Sequence, residues 1–495
     1  MNRGPLVVVG DLLLDEDIEG TADRLAPDAP APVVDITAVR RRAGGAGLAA
    51  RLAAALAARP DDEVVLITAL GTDPAADAAR RALGDRVRVV PLPLRGTQPV
   101  KTRVLAGGRP LVRLDRGGGS PGAPTAEALA ALRTARAVLV SDYGRGTPDA
   151  LRPALAAAAR RVPVVWDPHP RGGPPVPGTR LATPNAKEAA HCAEDSDPAP
   201  AAPPHATTGT PAPAGTALRA HAARGAALAA RWGAVHVAVT LGADGALLTR
   251  AGPGAPLLVP APPVTGGDPC GAGDCFAAAA TVALADGALP EEAVERAVAE
   301  AAAFVAAGGA GAVPEPPDRP RTPEPDGSRA RAAEPAAPPS DAFELARRTR
   351  ERGGTVVATG GCFDLLHAGH VGLLERAGRI GDCLIVCVNS DASVTRLKGP
   401  GRPLTPLADR IRVLEALGSV DAVVAFDETT PERLLDRLRP DVWVKGGDYT
   451  PDDLPEAAAL QRWGGQTVVL PYLDGRSTTS LTRRAARAAA DPADR

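Results

Sequence analysis

The chain has 495 residues, more than one hydrophobic core can fill, so two or three domains are expected. Lys+Arg 56 against Asp+Glu 58 gives a net charge of -2, which excludes a global basic surface for nucleic acid; any phosphate ligand must be held locally. The six cysteines form no C-x-x-C pair, no apolar run reaches the ~20 residues that span a bilayer, and residues 1–10 lack a signal-peptide pattern, so a cytoplasmic protein with no membrane partner is expected.

Residues 6–9 read as a buried strand closed by Gly10-Asp11. An acidic residue just past a strand end stands where open α/β sheets contact ligands. At residues 41–45 a polar start runs into an Ala/Leu-rich helix over 46–58. Gly44 and Gly45 before it permit close backbone approach to a ligand, or form a plain turn. Strand-like runs follow at 64–67 and 87–90. Residues 100–105 and 111–115 alternate as half-exposed strands do and flank a turn signal at 107–110, so a short antiparallel patch or lid beside the main sheet is expected. Lys101, Arg103 and Arg113 offer cations for a phosphorylated substrate; solvated charges on strand faces read equally well.

Strands at 138–140, 162–166 and 235–239 end in polar or glycine residues and alternate with Ala-rich helices. That pattern implies a parallel sheet covered on both faces, with a site along one edge. Residues 193–215, rich in Pro, Ala and Thr without period, read as a surface insertion. Next, Gly271-Ala272-Gly273 precede an apolar helix over 275–284. Their backbone N–H groups can form an anion hole. Asp274 beside them is placed to accept a proton from a hydroxyl that attacks phosphorus, or is an ordinary N-cap. There is no P-loop pattern. A punctuated helix at 290–307 carries no chemistry of its own. The expected domains are 1–313 and 343–495, joined by a Pro-rich linker over 314–342.

In the second half, an apolar run at 355–358 reads as a strand that breaks at Gly360-Gly361 and resumes as a helix from about Ala368. His367 and His370 stand where that helix begins. Unpaired N–H groups and dipole charge at a helix start suit anions, and two imidazoles there can stabilise charge on a phosphoryl group. A zinc site is the rival reading; it lacks the Glu of H-E-x-x-H and a tight Cys/His cluster. A strand over 384–388 follows, then a basic loop from Lys398 to Arg402 and a helix over 404–417 carrying Arg410 and Arg412. Singly, each basic residue reads as a surface charge. Lys398, Arg402, Lys445 and the hydroxyl-rich turn at 477–480 would follow strand ends on one edge, which favours a triphosphate site.

The segment from Asp268 to Asp274 resembles the D-x-x-G-A-G-D hallmark of ribokinase-like sugar kinases. The resemblance implies an α/β sandwich with a small β lid, Asp274 as catalytic base, and Gly271, Ala272 and Gly273 as anion hole. It also implies sugar contacts from Asp11, Gly44, Gly45, Lys101 and Arg103. Asn185 and Glu188, in Thr183-Pro184-Asn185-x-x-Glu188, and Gly242, Asp244 and Gly245 would lie beside ATP. His367-Ala-Gly-His370 is similar to the H-x-G-H signature of a nucleotidyltransferase family with a Rossmann-like fold. There the implied nucleotide contacts are Gly361, Phe363, Lys398, Lys445, Ser477, Thr478 and Thr479, with His367 and His370 catalytic.

The two halves in this order resemble the bifunctional heptose kinase–adenylyltransferases over nearly the whole chain. That likeness implies phosphorylation of heptose 7-phosphate at O1 and adenylyl transfer from ATP to heptose 1-phosphate. It further implies Mg2+ carried with ATP rather than held by the protein, and a homodimer through the lid. Leu48 and His169 depart from that family, which commonly has Asn and Lys there. A kinase of another sugar fused to a cytidylyltransferase-type domain, and a first domain that only binds sugar, are the other readings.

Overall fold

The computed structural model describes residues 4–26, 32–57, 59, 62–107, 109–194, 214–252, 254–264, 266–313, 341–446 and 455–470. The chain divides into two compact units. One comprises residues 1–199, 224–251 and 261–323; the other comprises 324–495 with 200–223 and 252–260. Most of the expected insertion and linker, and the whole 477–480 turn, lie outside the described residues.

The strands before residue 252 are β1 (Leu6–Gly10), β2 (Leu12–Leu25), β3 (Pro32–Gly45), β4 (Val64–Leu70), β5 (Val87–Ala106), β6 (Arg109–Pro121), β7 (Ala137–Ser141), β8 (Val164–Asp167), β9 (Leu181–Ala182), β10 (His236–Thr240) and β11 (Ala246–Thr249). Between and after them run α1 (Ala46–Leu56), α2 (Pro74–Leu83), α3 (Ala126–Thr134), α4 (Thr147–Ala150), α5 (Arg152–Ala159), α6 (Ala186–Glu194), α7 (Ala214–Trp232), α8 (Ala272–Ala285) and α9 (Pro290–Ala306).

The main sheet runs β5-β4-β1-β7-β8-β9-β10-β11, parallel except for β11. Its central strands are unbroken apolar runs because both faces are covered. Val7, Val9, Ile67, Val140 and Trp166 are fully buried in one core with Leu132 of α3 and Leu155 of α5. All the parallel strands present their C-terminal ends to one edge, so Asp11, Tyr143, Asp167 and Thr183 follow one another along it.

A second sheet, β3-β2-β5-β6, forms the lid. It is larger than the expected patch. The runs at 87–90 and 100–105 are one strand: β5 pairs with β4 up to Pro93, then continues into the lid. Pro91 and Pro93 punctuate the sequence, yet β5 is the edge of the main sheet, where a missing N–H is tolerated. The β2/β3 ribbon was not visible as strands because charge, rather than apolar alternation, pairs it. Arg41 lies 2.9 Å from Glu16, Arg42 2.6 Å from Asp17, and Arg24 3.1 Å from Asp35.

The second unit holds the short β12 (Leu257–Val259), then α10 (Ala342–Glu351), β13 (Val356–Gly361), α11 (Ala368–Gly378), β14 (Cys383–Asn389), α12 (Asp391–Lys398), α13 (Leu407–Glu415), β15 (Ala422–Phe426), α14 (Glu432–Leu438), β16 (Val442–Gly446), α15 (Pro455–Gln461) and β17 (Gln466–Leu470). Its parallel order is β15-β14-β13-β16-β17. The chain winds outward from β13 one way and then returns to the other side of β13. This leaves a crevice beyond the ends of β13 and β16, the switch point where such folds take ligands. β13 continues through Gly361 instead of breaking at Gly360. A Cβ at Gly360 would stand 2.6 Å from the Trp443 ring of the neighbouring strand, so glycine here serves close packing. No helix among the described residues is long and apolar enough to cross a membrane.

Candidate functional site

In the first unit, α8 is capped by Gly271 in a left-handed conformation, φ 83°. Its Ala272 N–H already bonds the Pro269 carbonyl at 3.1 Å. The Gly273 and Asp274 N–H groups belong to the first turn, which has no intrahelical acceptors. A Cβ at Gly273 would meet nothing within 4 Å, so this side of the turn is open. Leu48 packs beneath it, with its methyl 2.8 Å from where a Gly271 Cβ would stand. The Asn-to-Leu departure therefore supports the turn from below.

Asp274 is 6% exposed and accepts hydrogen bonds from the Tyr143 hydroxyl at 2.9 Å on each oxygen. Burial pushes its carboxyl up to about 7; the Asp15 charge adds to this, while Tyr143 and Lys101 oppose it. Asp15 on β2 is half-buried, and desolvation raises its carboxyl pKa against the pull of Lys101, Arg103 and Arg42. A Cβ at Gly44 would stand 2.6 Å from the Asp15 carboxyl, so only glycine leaves it in place. The Lys101 ammonium lies 5.2 Å from the Tyr143 ring centre, and Arg103 reaches the Cys270 sulfur at 3.4 Å. Asp15, Gly44, Lys101, Arg103, Tyr143 and Asp274 thus converge. Asp15 and Tyr143 were missed in the sequence. Asp15 is the first of three consecutive acids, Asp15-Glu16-Asp17, and nothing local singles it out; for Tyr143 the signal was a strand-end position.

Other expected contacts have different geometry. Asp11 is engaged by backbone: its carboxylate accepts the N–H groups of Tyr143 (3.2 Å), Arg145 (2.9 Å) and Thr147 (3.1 Å). It fastens the loop after β7. Gly45, at φ 58°, lies with its Cβ direction 2.5 Å from the Asp11 carbonyl, and makes the turn into α1. Asn185 and Glu188 cap α6: the Asn185 side chain accepts the Glu188 N–H at 3.0 Å and Glu188 accepts the Asn185 N–H at 2.9 Å. A bridge from Asn185 to Thr240 brings this cap beside the 242–245 turn, exposed over 242–244, where Gly242 (φ 65°) and Gly245 (φ 94°) flank Asp244. His169 stacks on Tyr143 with ring centres 6.4 Å apart; burial, then Arg171 and Lys101, lower its pKa.

In the second unit, a cavity of ≈ 420 Å³ opens at the switch point, lined among others by Gly361, Phe363, His370, Lys398, Lys445 and Glu456. His367 is the N-cap residue of α11 and His370 lies in its first turn, their rings stacked 3.9 Å apart. Burial, then His367 and Lys398, push His370 down to about 4, so at neutral pH it is a neutral imidazole. Phe363 takes a left-handed conformation, φ 47°, and its ring stands 5.4 Å from His370. Asp364 accepts Arg402 at 2.6 Å and the Leu404 and Thr405 N–H groups at 2.6 and 3.1 Å. Arg402 is therefore a loop anchor here rather than an open cation.

Arg410 is no surface charge: it is 1% exposed and donates to the Cys362, Asn389 and Thr405 carbonyls and to Asp391. Lys445 lines the cavity but pairs with buried Glu456 at 2.9 Å. Nothing in the sequence signalled Glu456, which lies beyond residues outside the described set. Ser477, Thr478 and Thr479 are also outside it. Among the described residues, no group of three or more His, Cys, Asp or Glu side chains is placed to hold a metal ion.

Comparison with known proteins places both halves. The pfkB family carbohydrate kinases match residues 5–317, and cytidylyltransferase-like proteins match residues 358–483. The chain is 61% identical to the bifunctional protein HldE of Streptomyces coelicolor, over 99% of this chain and 98% of that protein. It is 38% identical to the protein of that name from Azorhizobium caulinodans, over 97% and 98%. Among solved structures, Arabidopsis thaliana ribokinase complexed with ribose and ATP aligns at 23% identity and TM-score 0.46, over 63% of this chain and 96% of that one.

Proposed function

The chain belongs to the family of the bifunctional HldE proteins, and on that premise we propose that it activates a heptose phosphate in two separate reactions. It is a carbohydrate kinase in its first part and a nucleotidyltransferase in its second. In the first reaction ATP, carried as its Mg2+ complex, phosphorylates the anomeric hydroxyl of heptose 7-phosphate. The proton on O1 passes to Asp274, O1 bonds the γ-phosphorus, and ADP leaves. The first-turn N–H groups of α8 hold the transferring phosphoryl. Lys101 and Arg103 supply positive charge for the distal phosphate, and Asp15 accepts sugar hydroxyls beside Gly44.

In the second reaction a heptose 1-phosphate oxygen attacks the α-phosphorus of ATP and pyrophosphate leaves. The attacking phosphate is already ionised, so no base is required. His367 and His370 position the triphosphate, His370 as a neutral N–H donor, and Lys398 offsets its charge. Mg2+ would enter each reaction bound to the nucleotide's phosphates and lower their negative charge.

The observation that carries the kinase reading is a buried carboxylate, pushed up to about 7, at the start of a glycine-opened helix. Ile36, Val39, Leu111, Val112 and Leu114 lie exposed on the lid strands, which supports pairing of two copies through that sheet. Mass spectrometry of products tests the proposal: ATP with heptose 7-phosphate should yield the 1,7-bisphosphate, and ATP with heptose 1-phosphate should yield ADP-heptose. Parallel reactions with CTP and GTP identify the base, and absence of sugar-dependent ADP formation would refute the kinase half.

A further inference from the structure

We infer that Tyr143 is a positioning residue for the kinase base, aimed at Asp274 by a loop that Asp11 fastens to the end of β1. This rests on the proposed role of Asp274. Three facts carry it. The Tyr143 hydroxyl donates to both Asp274 oxygens at 2.9 Å, so it sets the plane in which the carboxylate presents its remaining lone pairs. The backbone of the same residue, with Arg145 and Thr147, is held by the buried Asp11 carboxylate, which spans from β1 to the loop after β7. The ring is fixed on two further sides, by the Lys101 ammonium and by His169.

A hydroxyl held this way has one function toward a carboxylate: it stabilises the ionised form that must take the proton from the sugar hydroxyl. Tyr143 keeps its own proton, because burial and then the Asp274 charge raise its pKa well above the ordinary phenol value. During phosphoryl transfer the proton leaves sugar O1 for Asp274, and Tyr143 donates throughout. The other charged groups acting on Asp274 are Asp15 from β2, raising its pKa, and Lys101 from β5, lowering it; Asp167 from β8 is itself pushed up, by burial and then by the Asp274 charge. Asp274 must be ionised to act, so kinase kcat/KM rises with pH through about 7.

The test is Tyr143→Phe in the full chain, assayed with ATP and heptose 7-phosphate across pH 6–9. Losing a charge-assisted donor moves the midpoint of the kcat/KM profile upward by about one pH unit. The rate at pH 7 falls several-fold, while KM for ATP and nucleotidyl transfer by the same sample stay at wild-type values. A purely structural tyrosine would lower the rate at all pH values without moving the midpoint, and that result, or an unchanged profile, overturns the inference. Asp274→Asn is run alongside. If it keeps the wild-type kinase rate, the base assignment falls and the positioning role with it. If it is inactive while Tyr143→Phe matches wild type, the positioning role alone falls.

Discussion

Replacing Arg410 with Met tests whether the second unit's crevice is held open from within. The side chain is 1% exposed and ends on three backbone carbonyls, of Cys362 (2.6 Å), Asn389 (2.8 Å) and Thr405 (3.0 Å), plus the Asp391 carboxylate at 2.6 Å. Cys362 follows β13 and Asn389 ends β14, so one guanidinium ties together two strand ends that border the cavity. Methionine fills much of the volume and bonds none of these groups. Asp391 is half exposed and returns to water, so its loss costs little. The three carbonyls lose their donor, at roughly 1–3 kcal/mol each where water cannot reach them. A total of about 3–5 kcal/mol is expected, a large part of the stability of a unit this size. At roughly 2–4 °C per kcal/mol, the midpoint for thermal loss of nucleotidyl transfer falls by about 10 °C. Kinase activity, measured in the same heated samples, should keep its wild-type midpoint. A transferase midpoint within about 2 °C of wild type would refute the reasoning, since it would mean that the carbonyls are satisfied without Arg410.

Two further outcomes follow from the packing around each site. Gly44→Ala puts a Cβ 2.6 Å from the Asp15 carboxyl and displaces it, so KM for heptose 7-phosphate should rise roughly tenfold, about 1.4 kcal/mol, with nucleotidyl transfer unchanged; an unaltered KM would remove Asp15 from the sugar site. Glu456→Gln removes the carboxylate charge 2.9 Å from Lys445, so the ammonium acts more strongly on the triphosphate and the transferase KM for nucleotide should fall several-fold; a raised KM in steady-state assays would show that Glu456 itself serves the nucleotide.

Short-range patterns were legible in the sequence and long-range ones were not. The start of α11 at Ala368, with the two histidines around it, follows from a few neighbouring residues, as does the glycine-opened start of α8 ahead of Asp274. The alternation of strand and helix also indicated the parallel main sheet of the first unit. By contrast, Tyr143 meets Asp274 across 131 positions and Asp11 holds residues more than 130 positions away. Such pairs depend on which strands neighbour each other, and local periodicity carries no information about that. The β2/β3 ribbon was hidden for a different reason: its strands satisfy one another through ion pairs, so they lack the apolar alternation that marks a half-buried strand. Arg410 looked like any other basic residue of an amphipathic helix, and only the tertiary structure shows it inside.

The central claim is that one chain carries two independent phosphorus chemistries, one at Asp274 and one at the His367–His370 pair. It is tested most directly by mass spectrometry of the products of Asp274→Asn and His370→Ala, each given ATP with heptose 7-phosphate and, separately, ATP with heptose 1-phosphate. The account predicts complementary losses: Asp274→Asn makes ADP-heptose but no 1,7-bisphosphate, and His370→Ala makes the bisphosphate but little ADP-heptose. Either variant retaining both products, or losing both while folded, would contradict it.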